Sequence, residues 1–182
     1  MKSTGVHFGS MKALVALSNK QLAEYVWYFL RENGAGLVKQ VHHSDDALKE
    51  VHQGNFTHIF VGHHLEGIGG PEFTKFIRMA DGLLAQAEVL MIISEPDRKK
   101  IITARDSGVT EILTLPLTGK QLKQRLDYGA VNTRSFIRNH SYIGPCRRRS
   151  FNPNYPGREK RMSVEYVQKL QAQQRLKRQA AQ

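Results

Sequence analysis

The sequence predicts an α/β fold: a doubly wound, five-stranded parallel sheet built from five successive strand–helix units, followed by a basic extension that ends in a helix. Two observations carry this expectation. Five short runs rich in Val, Ile, Leu and Phe alternate with segments whose apolar residues recur at helical spacing. Each apolar run also breaks abruptly into a polar loop, the way a strand buried on both faces ends at its carboxyl edge. A third observation sets the boundary. Residues 1–130 hold 15 Lys and Arg against 14 Asp and Glu, whereas residues 131–182 hold 12 against 2, so nearly all of the net charge of +11 lies in the last third. The chain divides into an arm (1–11), a domain (12–130) and the basic extension (131–182).

Lys12–Leu17 is a compact apolar run and forms the first strand. Ser18 and Asn19 are suited to cap the helix that follows, Gln21 to Glu32, and Asn33-Gly34 stops it. Leu22, Val26, Phe29 and Leu30 give that helix one apolar face. Gly36–Val41 is the second strand, and Ser44 is expected to cap a short helix with Ala47, Leu48 and Val51 inside. Ile59-Phe60-Val61 makes strand three and opens into Gly62-His63-His64 and a turn containing Gly67, Gly69 and Gly70. Pro71 fits the first turn of helix three, whose inner face is Phe73, Phe76 and Ile77. Val89–Ile93 is strand four, ending at Ser94. Helix four spans Asp97 to Ser107 with Gly108 just past its end, and Glu111–Thr114 is strand five, closed by Leu115-Pro116. Thr118 caps the fifth helix, which carries Leu122 and Leu126.

Ligands of open α/β sheets sit at the carboxyl ends of the strands, so the residues just past each strand announce the chemistry. After strand three these are glycine and two histidines, with no carboxylate, Ser, Cys or Lys nucleophile. His63 and His64 leave the strand in opposite directions and so are poorly placed to share a metal; they belong to the loop. The Gly67–Gly70 segment is a tight turn, because glycine-rich phosphate loops need a longer spacing after the first strand. No metal ligand set, cofactor motif or catalytic constellation is present, and the chain is expected not to be an enzyme.

Five strand–helix units over residues 12–128 resemble the receiver domain of bacterial two-component response regulators, the CheY-like relative of the flavodoxin fold. The segment from Phe56 to Gly70 follows the receiver pattern around its third strand, with Leu65, Gly67, Ile68 and Gly70 in register. Ala104–Val109 followed by Ile112–Pro116 is similar to the receiver's fourth helix and fifth strand. The resemblance implies a phosphorelay domain and places its working residues. Receivers have an acidic pair after strand one to hold Mg²⁺; here stand Leu17 and Ser18. They have the phosphorylated Asp after strand three; here stands Gly62. They have Lys before the strand-five Pro, where this chain has Leu115, and a switch aromatic on that strand, where it has Ile112. Ser94 alone keeps the expected hydroxyl. Phosphoryl transfer to a carboxylate needs a nucleophile, a divalent cation and a cation on the phosphoryl oxygens. With all three replaced, the resemblance implies a vestigial pocket and a phosphorylation-independent pseudo-receiver that binds protein. Its binding face would be the one receivers build from helix four, strand five and helix five, used on a signalling partner or on a second copy, with Lys99, Lys100, Arg105, Lys120, Lys123 and Arg125 as surface charge.

The extension contains a repeat thirteen residues apart. Tyr142-Ile-Gly144-Pro-Cys146-Arg147-Arg148-Arg149-Ser150 and Tyr155-Pro-Gly157-Arg158-Glu159-Lys160-Arg161-Met-Ser163 share Tyr, Gly, two basic positions and Ser. It resembles the Tyr-x-Gly-Pro-acid-Arg-Arg-Arg segments that follow some alphaproteobacterial receivers. An aromatic plate beside guanidinium forks suits carboxylate or phosphate groups, so Tyr142, Arg147, Arg148, Arg149, Tyr155, Arg158, Lys160 and Arg161 are the candidate partner or anion contacts. Three roles stand open: packing back onto the domain, docking on an acidic protein surface, and nucleic-acid binding through the phosphate backbone. Val164 to Ala181 is a candidate helix needing a partner to bury its apolar side. Cys146, the lone cysteine, is an incidental thiol that neighbouring Arg would acidify if it were exposed. One cysteine, no long apolar run and no signal-like N-terminus point to a cytoplasmic protein.

Overall fold

The computed structural model describes residues 5–139 and 142–147. Five strands form one parallel sheet: β1 (Lys12–Ala16), β2 (Leu37–Val41), β3 (His58–Gly62), β4 (Glu88–Ile93) and β5 (Glu111–Thr114). Their order is β2-β1-β3-β4-β5, so the chain winds outward in both directions from β1 and β3. Five helices connect them: α1 (Lys20–Glu32), α2 (Ser44–Gln53), α3 (Gly70–Met79), α4 (Arg98–Ser107) and α5 (Gly119–Val131). This is the doubly wound, flavodoxin-like architecture that the alternating pattern predicts, with boundaries displaced by one or two residues.

Strand alternation sends successive residues to opposite faces, and the helices divide accordingly. Ile59, Val61, Val89, Met91 and Ile93 pack with Ala47, Val51, Phe73, Ile77 and Ala104 of α2, α3 and α4. Phe60, Leu90, Ile92 and Leu113 pack with Ala23, Val26, Leu30, Leu122 and Leu126 of α1 and α5. Asn19, Asp97 and Thr118 cap α1, α4 and α5 through their side chains, and Thr118 forms a full capping box with Gln121. Gly108 closes α4 in the left-handed conformation.

The cap expected at Ser44 sits one residue earlier. His43 Nδ1 accepts from the Asp45 N–H, and the Ser44 hydroxyl turns away to accept from the Ile68 N–H. Further elements lie outside the expected pattern, among them a 3₁₀ turn at Leu84–Gln86 just before β4. Past α5 the chain forms a small antiparallel hairpin, β6 (Phe136–Arg138) and β7 (Ile143–Pro145), that packs against α3. Before β1, Phe8–Ser10 makes one 3₁₀ turn, and the Val6 N–H bonds Asp127 on α5. Among the described residues no helix is long and apolar enough to cross a membrane.

Candidate functional site

The carboxyl ends of β1 and β3 meet where the winding reverses, and the segments beyond them form the mouth of the sheet. Leu17 follows β1 directly and is buried. Its side chain lies over Gly62: a Cβ at Gly62 would stand 3.3 Å from Leu17 Cδ2. The place from which a side chain would emerge at the end of β3 is therefore filled by the Leu17 methyl and by the His64 carbonyl oxygen, which would stand 3.4 Å from that Cβ. Beneath it, α3 starts so close that a Cβ at Gly70 would fall 2.1 Å from the Gly62 carbonyl oxygen, which restricts position 70 to glycine.

Hydrogen bonds tie the loops of the mouth to one another. The Ser18 hydroxyl donates to the His42 carbonyl at 3.2 Å and accepts from the Glu66 N–H at 2.8 Å. His42 Nδ1 donates to the Leu17 carbonyl at 2.8 Å. The Ser44 N–H donates to the Glu66 carbonyl at 2.9 Å, while the Ser44 hydroxyl holds the Ile68 N–H at 3.2 Å. Ser18, the nearest hydroxyl to the winding reversal, thus has both roles filled by backbone. Ser94 is exposed beyond β4, and Leu115 is half-buried beside the cis peptide to Pro116. The five mouth positions hold two aliphatic side chains, two hydroxyls and a glycine.

His63 and His64 do not diverge as strand geometry would have them. Both lie beyond the last β3 residue, where alternation no longer applies, and their rings meet edge to face with centroids 5.1 Å apart. Both His63 ring nitrogens are buried without a hydrogen-bond partner. Burial first, then the adjacent His64 and Lys100, holds His63 below the ordinary imidazole range, and Glu72 and Asp97 offset this in part. The neutral form is favoured, because a buried imidazolium with no acceptor is costly.

The opposite, amino-terminal rim of the sheet is where charge is buried. Arg78, near the end of α3, is 1 % exposed. Its guanidinium donates to the carbonyls of Gly108, Ala85 and Ala87, each at 2.7 Å, and to the Thr110 hydroxyl at 3.3 Å. Burial pulls Arg78 down to about 10. Glu88 opens β4, and burial pushes its carboxyl up, with Arg78 and the Thr110 hydroxyl opposing. Glu111 opens β5 and is buried, with Arg134 at 2.8 Å and Arg125 at 3.9 Å. His58 opens β3, and burial lowers it to about 4. Sequence reading missed this set. The available signal was a titratable residue at the head of each of three consecutive strands, together with an arginine beside Ile77 on an otherwise apolar helix face.

The first part of the extension closes over this rim. Phe136 lies under the Arg78 guanidinium at 5.6 Å, and Arg134 reaches Glu111. The Ile143 carbonyl comes so close to Gly108 that a Cβ there would stand 2.6 Å from it. Tyr142 is 8 % exposed, its hydroxyl donates to the Pro145 carbonyl at 2.7 Å, and burial raises its pKa. Arg147 lies 3.9 Å over the Tyr142 ring and 3.3 Å from Asp106. Of the candidate partner contacts, then, Tyr142 and Arg147 are engaged within the chain. Arg148, Arg149, Tyr155, Arg158, Lys160 and Arg161 lie outside the described residues, as does the candidate helix from Val164 to Ala181. Cys146 is buried, so the exposure that would have made it a reactive thiol is lacking.

On the face of α4, β5 and α5, a groove of about 360 Å³ runs along β5 and is lined by Ile112, Thr114, Leu117, Gln121, Arg125 and Tyr128, among others. Most of the cations expected there already meet a carboxylate: Lys100 with Asp97, Arg105 with Asp106, Lys123 with Asp127, and Arg125 with Glu111.

Comparison with solved structures identifies the fold. A two-component response regulator from Clostridium difficile superposes with a TM-score of 0.61 at 18 % identity over 68 % of this chain and 98 % of that one. Chemotaxis response regulator CheY4 of Vibrio cholerae gives 0.59 at 22 % identity, over 64 % and 96 %. A CheY-like receiver domain protein from Methanospirillum hungatei gives 0.61 at 12 % identity, over 66 % and 94 %. No protein-family model matches the chain. The fold is that of a CheY-like receiver.

Proposed function

We propose that this receiver-fold chain is a phosphorylation-independent pseudo-receiver: a non-enzymatic module of two-component-type signalling that acts by binding protein. The observation that carries the reading is the packing at the end of β3. Gly62 stands at the acceptor position of the fold, and Leu17 packs over it where a magnesium-binding carboxylate would otherwise sit. A phosphoryl group arriving there would meet the Leu17 side chain and the His64 carbonyl oxygen, with Leu115 standing before Pro116 where the fold's cation is expected.

The loops beyond β1, β2 and β3 are joined by the Ser18, His42, Ser44 and Glu66 bonds, which favours one fixed conformation over a switch. A fixed shape still serves recognition. The β5–α5 groove joins apolar walls to amide side chains, a composition suited to a peptide or a helix of a signalling partner or a second copy. The test is chemical. The protein is incubated with Mg²⁺ and acetyl phosphate and its mass measured; no phosphoryl adduct is expected on residues 12–130. An adduct of one phosphoryl group there, lost under conditions that hydrolyse acyl phosphates, would sink the proposal.

A further inference from the structure

The first Tyr-x-Gly element is seated in a groove at the amino-terminal rim of the sheet, and its contacts define what the groove reads. The element must bring an aromatic ring at its first position: Tyr142 is buried, and its hydroxyl bonds the backbone carbonyl three residues on. It must have no side chain two residues later, because a Cβ at Gly144 would stand 2.8 Å from Gly108 Cα and 2.8 Å from the Tyr142 hydroxyl. It must bring a cation five residues after the tyrosine, where Arg147 covers the ring and reaches Asp106. The residue at the fourth position, Pro145, is buried beside Phe136 and accepts the tyrosine hydroxyl at its carbonyl, so a larger or charged side chain there is disfavoured without being excluded by a clash with backbone.

The second element satisfies all three side-chain requirements with Tyr155, Gly157 and Lys160. From this match we infer that the rim groove is a reading site for Tyr-x-Gly segments with two alternative occupants in one chain, residues 142–147 and residues 155–161. The two compete on nearly equal entropic terms. Lengthening a tether from α5 by thirteen residues costs well under about 1 kcal/mol of loop entropy, and both segments act intramolecularly. Chemistry ranks them. Arg158 stands in register with buried Pro145 and Glu159 with buried Cys146, and Lys160 stacks less well than Arg147, so the first element is the resident and the second the challenger. Exchange releases Tyr142 and Cys146 to solvent and parts Arg147 from Asp106, which changes the basic surface the protein presents.

Cys146, buried while the first element is seated and the chain's only cysteine, reports the exchange. In full-length native protein its modification by an aromatic disulfide reagent is followed while a synthetic peptide of residues 153–163 is added. The rate is expected to rise about tenfold or more as the peptide saturates the groove, since a buried thiol reacts in proportion to its open fraction. The same peptide carrying Tyr155→Ala should have no effect. A double-mutant comparison tests the exchange in cis. Gly144→Val evicts the resident and leaves the groove intact; Tyr155→Ala should then lower the melting temperature by several degrees in that background and leave the otherwise unaltered chain unchanged. Equal effects of Tyr155→Ala in both backgrounds overturn the inference. So does a peptide that leaves the thiol rate unmoved, or one whose action survives its alanine replacement.

Discussion

Replacing Arg78 with Met removes four donated hydrogen bonds while keeping the length of the aliphatic stem. Three of the acceptors are backbone carbonyls at 2.7 Å, those of Ala85 and Ala87 before β4 and of Gly108 before β5. Ala85 and Ala87 are themselves buried, so water does not readily take the place of the lost donors. Each carbonyl left unsatisfied costs about 1–3 kcal/mol. Against that, the folded state no longer has to desolvate a guanidinium, which returns part of the loss. The net is a destabilisation of about 3–5 kcal/mol, roughly a third or more of the stability of an ordinary domain. For a chain of this size the melting temperature should fall by about 10 °C. Urea unfolding followed by circular dichroism gives the free energy, with an unchanged m-value showing that the same surface unfolds. Arg78→Lys should recover only part of it, because one ammonium cannot reach acceptors spread around a planar fork. A loss below about 1 kcal/mol for the Met variant, or full recovery by Lys, would refute the assignment of Arg78 as the rim's organiser.

Three further outcomes follow from the same geometry. Gly62→Asp puts a carboxyl against Leu17; it should destabilise the domain by about 1–3 kcal/mol and still take up no phosphoryl group from acetyl phosphate, as mass spectrometry would show. His58 is held near 4 by burial and titrates near 6.5 when unfolded, so the unfolded chain takes the proton first. Its contribution is complete above pH 6.5 and is lost as pH falls toward 4, by at most about 3 kcal/mol. Glu88, raised by burial, acts in the opposite sense, so the measurement is the difference in pH dependence between the wild type and His58→Phe; parallel curves would refute it. Last, a chain ending after Arg147 should keep the full-length melting temperature, whereas one ending after Val131 uncovers Arg78 and Glu111, loses the buried Tyr142, and should fall by about 2–4 kcal/mol in urea unfolding.

The five-unit sheet and the residue types at the strand ends were legible in the residue string because both depend on local information. Apolar period, caps and glycine stops act within a turn or a strand, and the end of each strand is marked by where its apolar run breaks. Leu17 and Gly62 could be read from their identity alone as offering no side-chain oxygen. Ser44 was misread as a cap because an adjacent His43 can offer the same acceptor, and only the position of Ile68 decides which side chain turns inward.

The rim was settled by distances between residues far apart in the chain. Arg78, Glu88, Thr110, Glu111 and Arg134 each look like ordinary polar residues, and their removal from solvent follows from α3, β4, β5 and the segment after α5 converging on one edge of the sheet. For Tyr142 and Arg147 composition left three roles open, and packing back onto the domain is the one the fold takes: Tyr142 is buried and Arg147 covers its ring, because Gly108 and Gly144 let two backbones approach. Sequence alone determined which residues stand at the ends of the strands, since residue identity is the same in any conformation. Where the buried charge collects, and that the extension begins by closing over it, depended on three-dimensional packing, because burial is a property of what surrounds a residue and not of the residue itself.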